Sequence, residues 1–273
     1  MINKTVMTAV VGRPNVGKST LTNAMVGEKI AIVTNKPQTT RNRIFGIVNY
    51  GDTQIILTDT PGFHKARNRL GDYMVKVVNE SVTDVDAVLL VVPPVADIGT
   101  QERLLIEKIK SANVPAILVI NKIDTVSKEE LLPVIAVYSK EHDFEAVLPV
   151  SAKTGDGVGD VADELCKFAQ DGPALFPEDM VTDQPERQIC AEIIREKLLI
   201  CLDREVPHGT AVEITRFSQR DDGIIDIEAT IYCEKESHKG MIIGKKGAML
   251  KKIGELARND IEKFMGEKVY LQT

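Results

Sequence analysis

Eight residues, GRPNVGKS from Gly12 to Ser19, match the pattern GxxxxGK[ST] between a strand-like apolar run and an amphipathic one. In that context the loop holds a phosphate chain. Backbone N–H groups of the loop and of the following helix N-terminus point at the oxygens, Lys18 reaches the β- and γ-phosphates, and the Ser19 hydroxyl suits Mg²⁺. A second loop, GKKG at 244–247, is also rich in glycine and lysine, but no Ser or Thr follows its lysines at the spacing a nucleotide loop needs. The two loops therefore call for different phosphates.

Three further motifs complete the first site. DTPG, 59–62, ends an apolar run; Asp59 can hold Mg²⁺ through water, Gly62 can bring its amide to the γ-phosphate, and Thr60 and Pro61 shape the turn. NKID, 121–124, follows PAILVI, and here the base is selected. The Asp124 carboxylate accepts from guanine N1–H and the exocyclic amine, which adenine lacks, with Asn121 and Lys122 beside it. SAK, Ser151, Ala152 and Lys153, ends the next apolar run and offers a backbone N–H to guanine O6. Together with Gly12, Arg13, Pro14, Asn15, Val16, Gly17, Lys18, Ser19 and Thr20, these residues form the expected guanine-nucleotide set. In NKPQTTRNR, 35–43, one threonine is expected to complete Mg²⁺ coordination: Thr40, with Thr39 as the alternative.

The elements that must position these loops follow from the pattern. Near-continuous Val, Ile and Leu in VMTAVVG, TQIILTDTPG, DAVLLVV, PAILVINKID and EAVLPVSA predicts strands covered on both faces, as in a parallel sheet wrapped by helices. Runs 43–50 and 53–58 are joined only by Gly51 and Asp52, which predicts an antiparallel hairpin at the sheet edge. Helices are expected near 18–27, 68–82, 100–112, 128–140 and 157–170, giving a three-layer α/β domain over 1–170 with its motifs at the strands' C-terminal ends. The proline-containing stretch 171–186 reads as a linker, and 187–273 as a smaller α+β domain: helix 187–203, PHG, strands 210–218 and 224–233, then helix, GKKG and helix.

Bulk composition narrows the class. With 273 residues, 43% hydrophobic and 27% charged, the chain suits two soluble domains. Its apolar runs are too short to span a bilayer, and no signal peptide opens it. Four separated cysteines without a CxxC pair suit a reducing cytoplasm, and the four histidines show no metal spacing. A net charge of −6 excludes a basic coat, so any nucleic-acid site must be local. Such a site exists. From Lys239 to Lys252 the chain has five lysines and no acid. GKKG has the GxxG form of KH modules, in which Gly244 and Gly247 admit a sugar-phosphate backbone and Lys245 and Lys246 supply charge. Lys239 and Lys251 extend the strip, and Ile242, Ile243, Leu250 and Ile253 are expected to line an apolar groove, since aromatics make up only 4% of the chain. The competing reading is a solvated helix face.

The set GRPNVGKST, PQTTR, DTPG, NKID, SAK, EVPHG and IIGKKG in one chain resembles the Era family of bacterial GTPases across residues 5–273. The resemblance implies a Ras-like P-loop GTPase domain followed by a type II KH domain. It also implies GTP hydrolysis with Mg²⁺, single-stranded RNA near the 3′ end of small-subunit ribosomal RNA as ligand, and a role in assembly of that subunit. A cytoplasmic monomer with peripheral association at the inner membrane is implied as well. The chain stops at KVYLQT, where the family continues into basic sequence and a helix, so a KH domain truncated at its C-terminus is expected. Ras-like enzymes place a water-orienting glutamine after DTPG; Phe63 stands there, and a phenyl ring has neither donor nor acceptor. His64, next along, must reach past it. Catalysis is then expected from Lys18, Mg²⁺, Thr40 and the Gly62 amide. Asn15 has two open readings: a potassium ligand, as in related GTPases with asparagine at this place, or a brace for the loop. The alternative to an RNA-directed switch is a GTP-gated docking module for a protein or membrane surface. A P-loop small-molecule kinase is disfavoured by NKID and SAK.

Overall fold

The computed structural model describes residues 2–36, 39–63, 74, 76–78, 80–82, 84–202 and 209–273. The expected helix at 68–82 falls largely outside them, with residues 74, 76–78, 80 and 81 helical; His64, His208 and most of EVPHG also lie outside. The chain divides into two compact units, 1–31 with 40–183, and 32–39 with 184–273.

The first unit is built on strands β1 (Lys4–Val11), β2 (Ile44–Tyr50), β3 (Thr53–Asp59), β4 (Ala87–Val92), β5 (Ala116–Asn121) and β6 (Ala146–Val150), in the order β2-β3-β1-β4-β5-β6. All neighbours on this path are parallel except the β2–β3 hairpin at the edge. Because strand residues alternate faces, Val88, Leu90 and Val92 pack with α2 (Thr100–Ala112) and α3 (Lys128–Tyr138). Ala87, Leu89 and Val91 pack with α1 (Lys18–Val26) and α4 (Val158–Cys166). Three layers result, and β1 sits where the strand order turns, so the loop from β1 to α1 opens at the sheet's crevice.

Residues 171–183 are not a free linker. β7 (Gln170–Asp171) pairs with β1, and the chain then follows the hairpin. The buried Gln54 amide donates to the Phe176 carbonyl at 3.0 Å and accepts from the Leu175 and Phe176 amides at 2.9 Å each. Further on, Ile47 N–H donates to the Val181 carbonyl at 2.9 Å. An exposed β2 edge has unpaired backbone groups, and this segment satisfies them.

In the second unit α5 (Glu186–Cys201) and α7 (Ala248–Met265) cover one face of a three-stranded sheet, β10-β9-β8. Strands β8 (Thr210–Gln219) and β9 (Ile225–Cys233) are antiparallel, and β10 (Val269–Gln272) runs parallel to β9. Ile189, Ile193, Ile214, Ile227, Ala257 and Ile261 form its core. Helix α6 (Glu236–Ile243) leads into GKKG. Three successive charged residues of α5, Arg195, Glu196 and Lys197, are buried, and each has partners inside the unit, although Arg195 Nη1 has no hydrogen-bond partner. Lys197 pairs with Glu196 at 2.7 Å and with Asp260; Glu196 accepts from Val33 N–H at 2.9 Å; Arg195 donates to the Thr39 carbonyl.

Candidate functional site

Four loops leave the C-terminal ends of β1, β3, β5 and β6, and hydrogen bonds hold all four together. The phosphate loop passes directly into α1, whose N-terminus has no side-chain cap, so its first N–H groups are left for an anion. Lys18, 6% exposed, donates through Nζ to the carbonyls of Gly12 and Arg13 at 3.1 Å each. Burial lowers its pKa to about 8, against the opposing pull of Asp59. DTPG lies against this loop: a Cβ on Gly62 would fall 2.7 Å from the Pro14 Cα, so only glycine allows the approach.

The expected Mg²⁺ ligands stand together. Ser19 Oγ is 2.6 Å from Asp59 Oδ2 and 2.9 Å from Thr40 Oγ1. Asp59 is fully buried, and burial raises its pKa to about 6 despite Lys18 and the Ser19 hydroxyl. Its Oδ1 has no hydrogen-bond partner. A buried, unsatisfied carboxylate oxygen beside two hydroxyls is a hard-oxygen donor set, which fits Mg²⁺. Thr39 faces away, its hydroxyl bonded to Thr34 and to the Lys36 carbonyl at 2.7 Å each.

Asn121 is the central brace. Its Nδ2 donates to the Val16 carbonyl at 2.9 Å, and its Oδ1 accepts from the Lys122 amide at 2.8 Å and the Ala152 amide at 3.0 Å. The Ala152 N–H, one of the SAK amides, is thus engaged by Asn121. Lys122 reaches back to the Asn15 carbonyl at 2.6 Å, and Asn15 adopts a left-handed φ of 65°. Ser151 donates to Asp124 Oδ1 at 2.8 Å, which orients that carboxylate. Beside these two residues an apolar pocket of about 460 Å³ opens, lined by Ile123, Val126, Leu131 and Pro149 among others. Other members of the expected set face elsewhere. The Val16 side chain is buried, Thr60 Oγ1 donates to the Val10 carbonyl at 2.8 Å, and Lys153 is exposed.

Phe63 is a core residue, 6% exposed, with its amide bonded to the Gly12 carbonyl at 3.0 Å and Lys108 over its ring. A residue the motifs did not reveal also reaches this site: Glu102 of α2, at 1% exposure, pairs with Arg13 at 3.0 Å. Its only trace in the sequence is an acid in register with the apolar Leu105, Ile106 and Ile109.

On the second unit the GKKG loop is a single tight turn over Lys245–Gly247, with φ of 72° at Gly244 and 52° at Lys246. A Cβ on Gly244 would meet the Met249 Cβ at 2.6 Å. Lys245 and Lys246 are exposed, and among the described residues neither has an ion pair; Lys239 and Lys251 face Glu236 and Glu255 at 3.7 and 3.9 Å. A groove of about 240 Å³ lies alongside, lined by Ile242, Ile243, Leu250, Lys239 and Thr273 with residues of β9. Ile253 does not line it. That side chain is fully buried with Leu198, Leu202 and Ile242, because α7 turns it inward to fasten the helix.

Comparison with known proteins agrees with this geometry. Residues 7–122 match the 50S ribosome-binding GTPase family and residues 205–273 the KH domain family. The chain is 51% identical to GTPase Era of Ruminiclostridium cellulolyticum over 272 residues, covering 100% of this chain and 91% of that one. It is 50% identical to GTPase Era of Clostridium kluyveri over 263 residues, covering 96% and 90%. A solved structure of Era in complex with MgGDPNP and nucleotides 1506–1542 of 16S ribosomal RNA superposes with a TM-score of 0.94 at 37% identity, covering 99% of this chain and 92% of that one. A tyrosine-to-alanine variant of Era from Aquifex aeolicus bound to GDP·AlF4⁻ gives the same TM-score and identity over 98% and 92%. A Ras-like GTPase fold with a C-terminal KH domain, and relatives of this identity along the whole chain, make this protein a member of the Era family of GTPases.

Proposed function

We propose that the chain is a GTP-driven switch that clamps single-stranded RNA near the 3′ end of small-subunit ribosomal RNA during assembly of that subunit. The observation that carries the reading is the convergence of Ser19, Thr40 and Asp59 beside Lys18 in one unit, with an exposed, unpaired GKKG turn in the other. The 37% identical relative holding MgGDPNP and a 16S ribosomal RNA segment supports both halves of it.

In this reading Ser19, Thr40 and Asp59 hold Mg²⁺, which neutralises charge on the β- and γ-phosphates. Lys18, an ammonium with three donors, stays aimed by the Gly12 and Arg13 carbonyls and gives its remaining N–H to the phosphate oxygens, and the Gly62 amide donates to the γ-phosphate. Asp124, oriented by Ser151, accepts from guanine, while Asn121 keeps the two base-reading loops in register with the phosphate loop. The Phe63 ring is packed into the core and has no donor or acceptor to offer, and His64 lies outside the described residues. Hydrolysis then rests on electrostatic stabilisation.

In the second unit, Lys239, Lys245, Lys246 and Lys251 carry the RNA backbone across Gly244 and Gly247, and the groove at Ile242 and Ile243 takes bases. The GTPase domain is taken as 1–170, the linker as 171–186 and the KH domain as 187–273. A cytoplasmic monomer completes the reading, and none of the described helices is long and apolar enough to cross a membrane. RNA affinity measured with GDP, with a non-hydrolysable GTP analogue and without nucleotide tests the switch; equal, measurable affinity in all three conditions would remove the coupling, and no RNA binding in any of them would leave a docking module instead.

A further inference from the structure

Helix α2 has one buried face, and its residues recur at helical spacing: Glu102, Leu105, Ile106 and Ile109. Three of the four are apolar. The carboxylate of the first is 1% exposed, and a glutamate is almost never fully buried unless it is paired. Its partner is Arg13, whose Nε lies 3.0 Å from Oε1, as an ion pair rather than an aligned hydrogen bond. The rest of the pocket admits this group. A Cβ on Gly99, which precedes the helix, would fall 2.7 Å from Oε2, so glycine there leaves room for the carboxylate. The Tyr138 hydroxyl is buried without a hydrogen-bond partner, and burial together with the Glu102 charge holds the phenol well above its ordinary pKa.

Burial of a charge is costly, and a plain core would place leucine at this position. What Arg13 does explains the exception. Its carbonyl and that of Gly12 both accept from the buried Lys18 ammonium at 3.1 Å, so the backbone at 12–13 sets where Lys18 waits. The Gly12 carbonyl also accepts from the amide of Phe63, whose ring lies under Lys108 of the same helix. One helix thus bears on the phosphate loop through residue 102 and on the end of DTPG through residue 108.

We propose that Glu102 is a positioning residue of the nucleotide site: its buried carboxylate anchors the Arg13 side chain and thereby fixes the two carbonyls that hold Lys18 for the β- and γ-phosphates. It touches neither nucleotide nor metal. The inference rests on the nucleotide reading of that loop, and the experiment separates the two. GDP affinity is measured by calorimetry for the wild-type chain, Glu102→Gln, Arg13→Met and the double variant, with a thermal melt of each nucleotide-free protein. Wild-type protein that fails to bind GDP removes the nucleotide reading itself. If it binds, Glu102→Gln is expected to weaken GDP about tenfold, and to add nothing once Arg13 is already methionine. In steady state the loss should appear in KM, with kcat held within about threefold. Glu102→Asp, which keeps the charge on a shorter arm, should recover part of the affinity. A glutamate that merely braced the helix would lower the melting temperature and leave GDP affinity unchanged, or would weaken GDP equally in both Arg13 backgrounds; either result overturns the proposal. Should Glu102→Gln fail to fold, Arg13→Met alone decides, because wild-type GDP affinity in that variant leaves nothing for the carboxylate to position.

Discussion

The side-chain amide of Asn121 and the carbonyl of Val16 are joined by a 2.9 Å hydrogen bond across 105 residues of sequence, tying the base-reading loop to the phosphate loop. The same side chain accepts from Lys122 and Ala152. Asn121→Ala strands a buried carbonyl and two amides at once. We expect it to lower the unfolding free energy of the nucleotide-free protein by about 1–3 kcal/mol and to weaken GDP as well. Urea unfolding beside calorimetry checks this; unchanged stability would show that the three loops hold their places without it.

Base choice lies with Asp124, whose carboxylate Ser151 orients at 2.8 Å. Asp124→Asn should move preference from GTP toward xanthosine triphosphate and leave the melt of the free protein in place. A site built to hydrogen-bond a group discriminates against an analogue lacking it by about four to five orders of magnitude. Comparable hydrolysis of ATP and GTP by the wild-type chain would contradict the assignment.

The exposed lysines of the GKKG turn give the cleanest test of RNA contact. Lys245→Asp with Lys246→Asp should weaken single-stranded RNA strongly, and each lost phosphate contact should flatten the slope of log K against log salt by about 0.7. Circular dichroism and a thermal melt check that the variant keeps the parent's overall fold. Equal affinity and slope in parent and variant would return the strip to a solvated helix face.

Asn15 holds a left-handed backbone and gives its carbonyl to Lys122 at 2.6 Å. If its side chain binds potassium, GTP turnover is faster in potassium than in sodium at equal ionic strength, and Asn15→Ala abolishes that difference while GTP still binds. Identical turnover in the two salts assigns Asn15 to bracing the loop.

Phe63 separates packing from chemistry. With its ring in the core between the sheet and α2, Phe63→Ala should cost about 3–5 kcal/mol of stability through the cavity it leaves. Single-turnover hydrolysis, measured at a temperature where the variant remains folded, should stay within a few-fold of the parent. A drop of several orders of magnitude would give the ring a part in catalysis.

Much of this molecule could be read from its chain because the motifs are properties of short backbone segments. A glycine-rich loop between an apolar strand and a helix has one dominant use, and two residues between runs 43–50 and 53–58 leave room only for a hairpin, which β2 and β3 form. The unbroken apolar run of β4 likewise foretold cores on both faces of the sheet. What the chain alone did not decide depends on partners distant in sequence. Whether Thr39 or Thr40 turns inward is a matter of one residue in an irregular segment, and it is Thr40 that meets Ser19, 21 residues away. Residues 171–183 have a linker's composition, yet an open β2 edge and the buried Gln54 amide recruit them. Ile253 has the residue type of a groove, but α7 turns it into the core. Glu102 passes in sequence for an ordinary acidic first turn; only the packing of α2 against the phosphate loop buries its carboxylate beside Arg13, because burial is a property of the assembled layers and not of any segment within them.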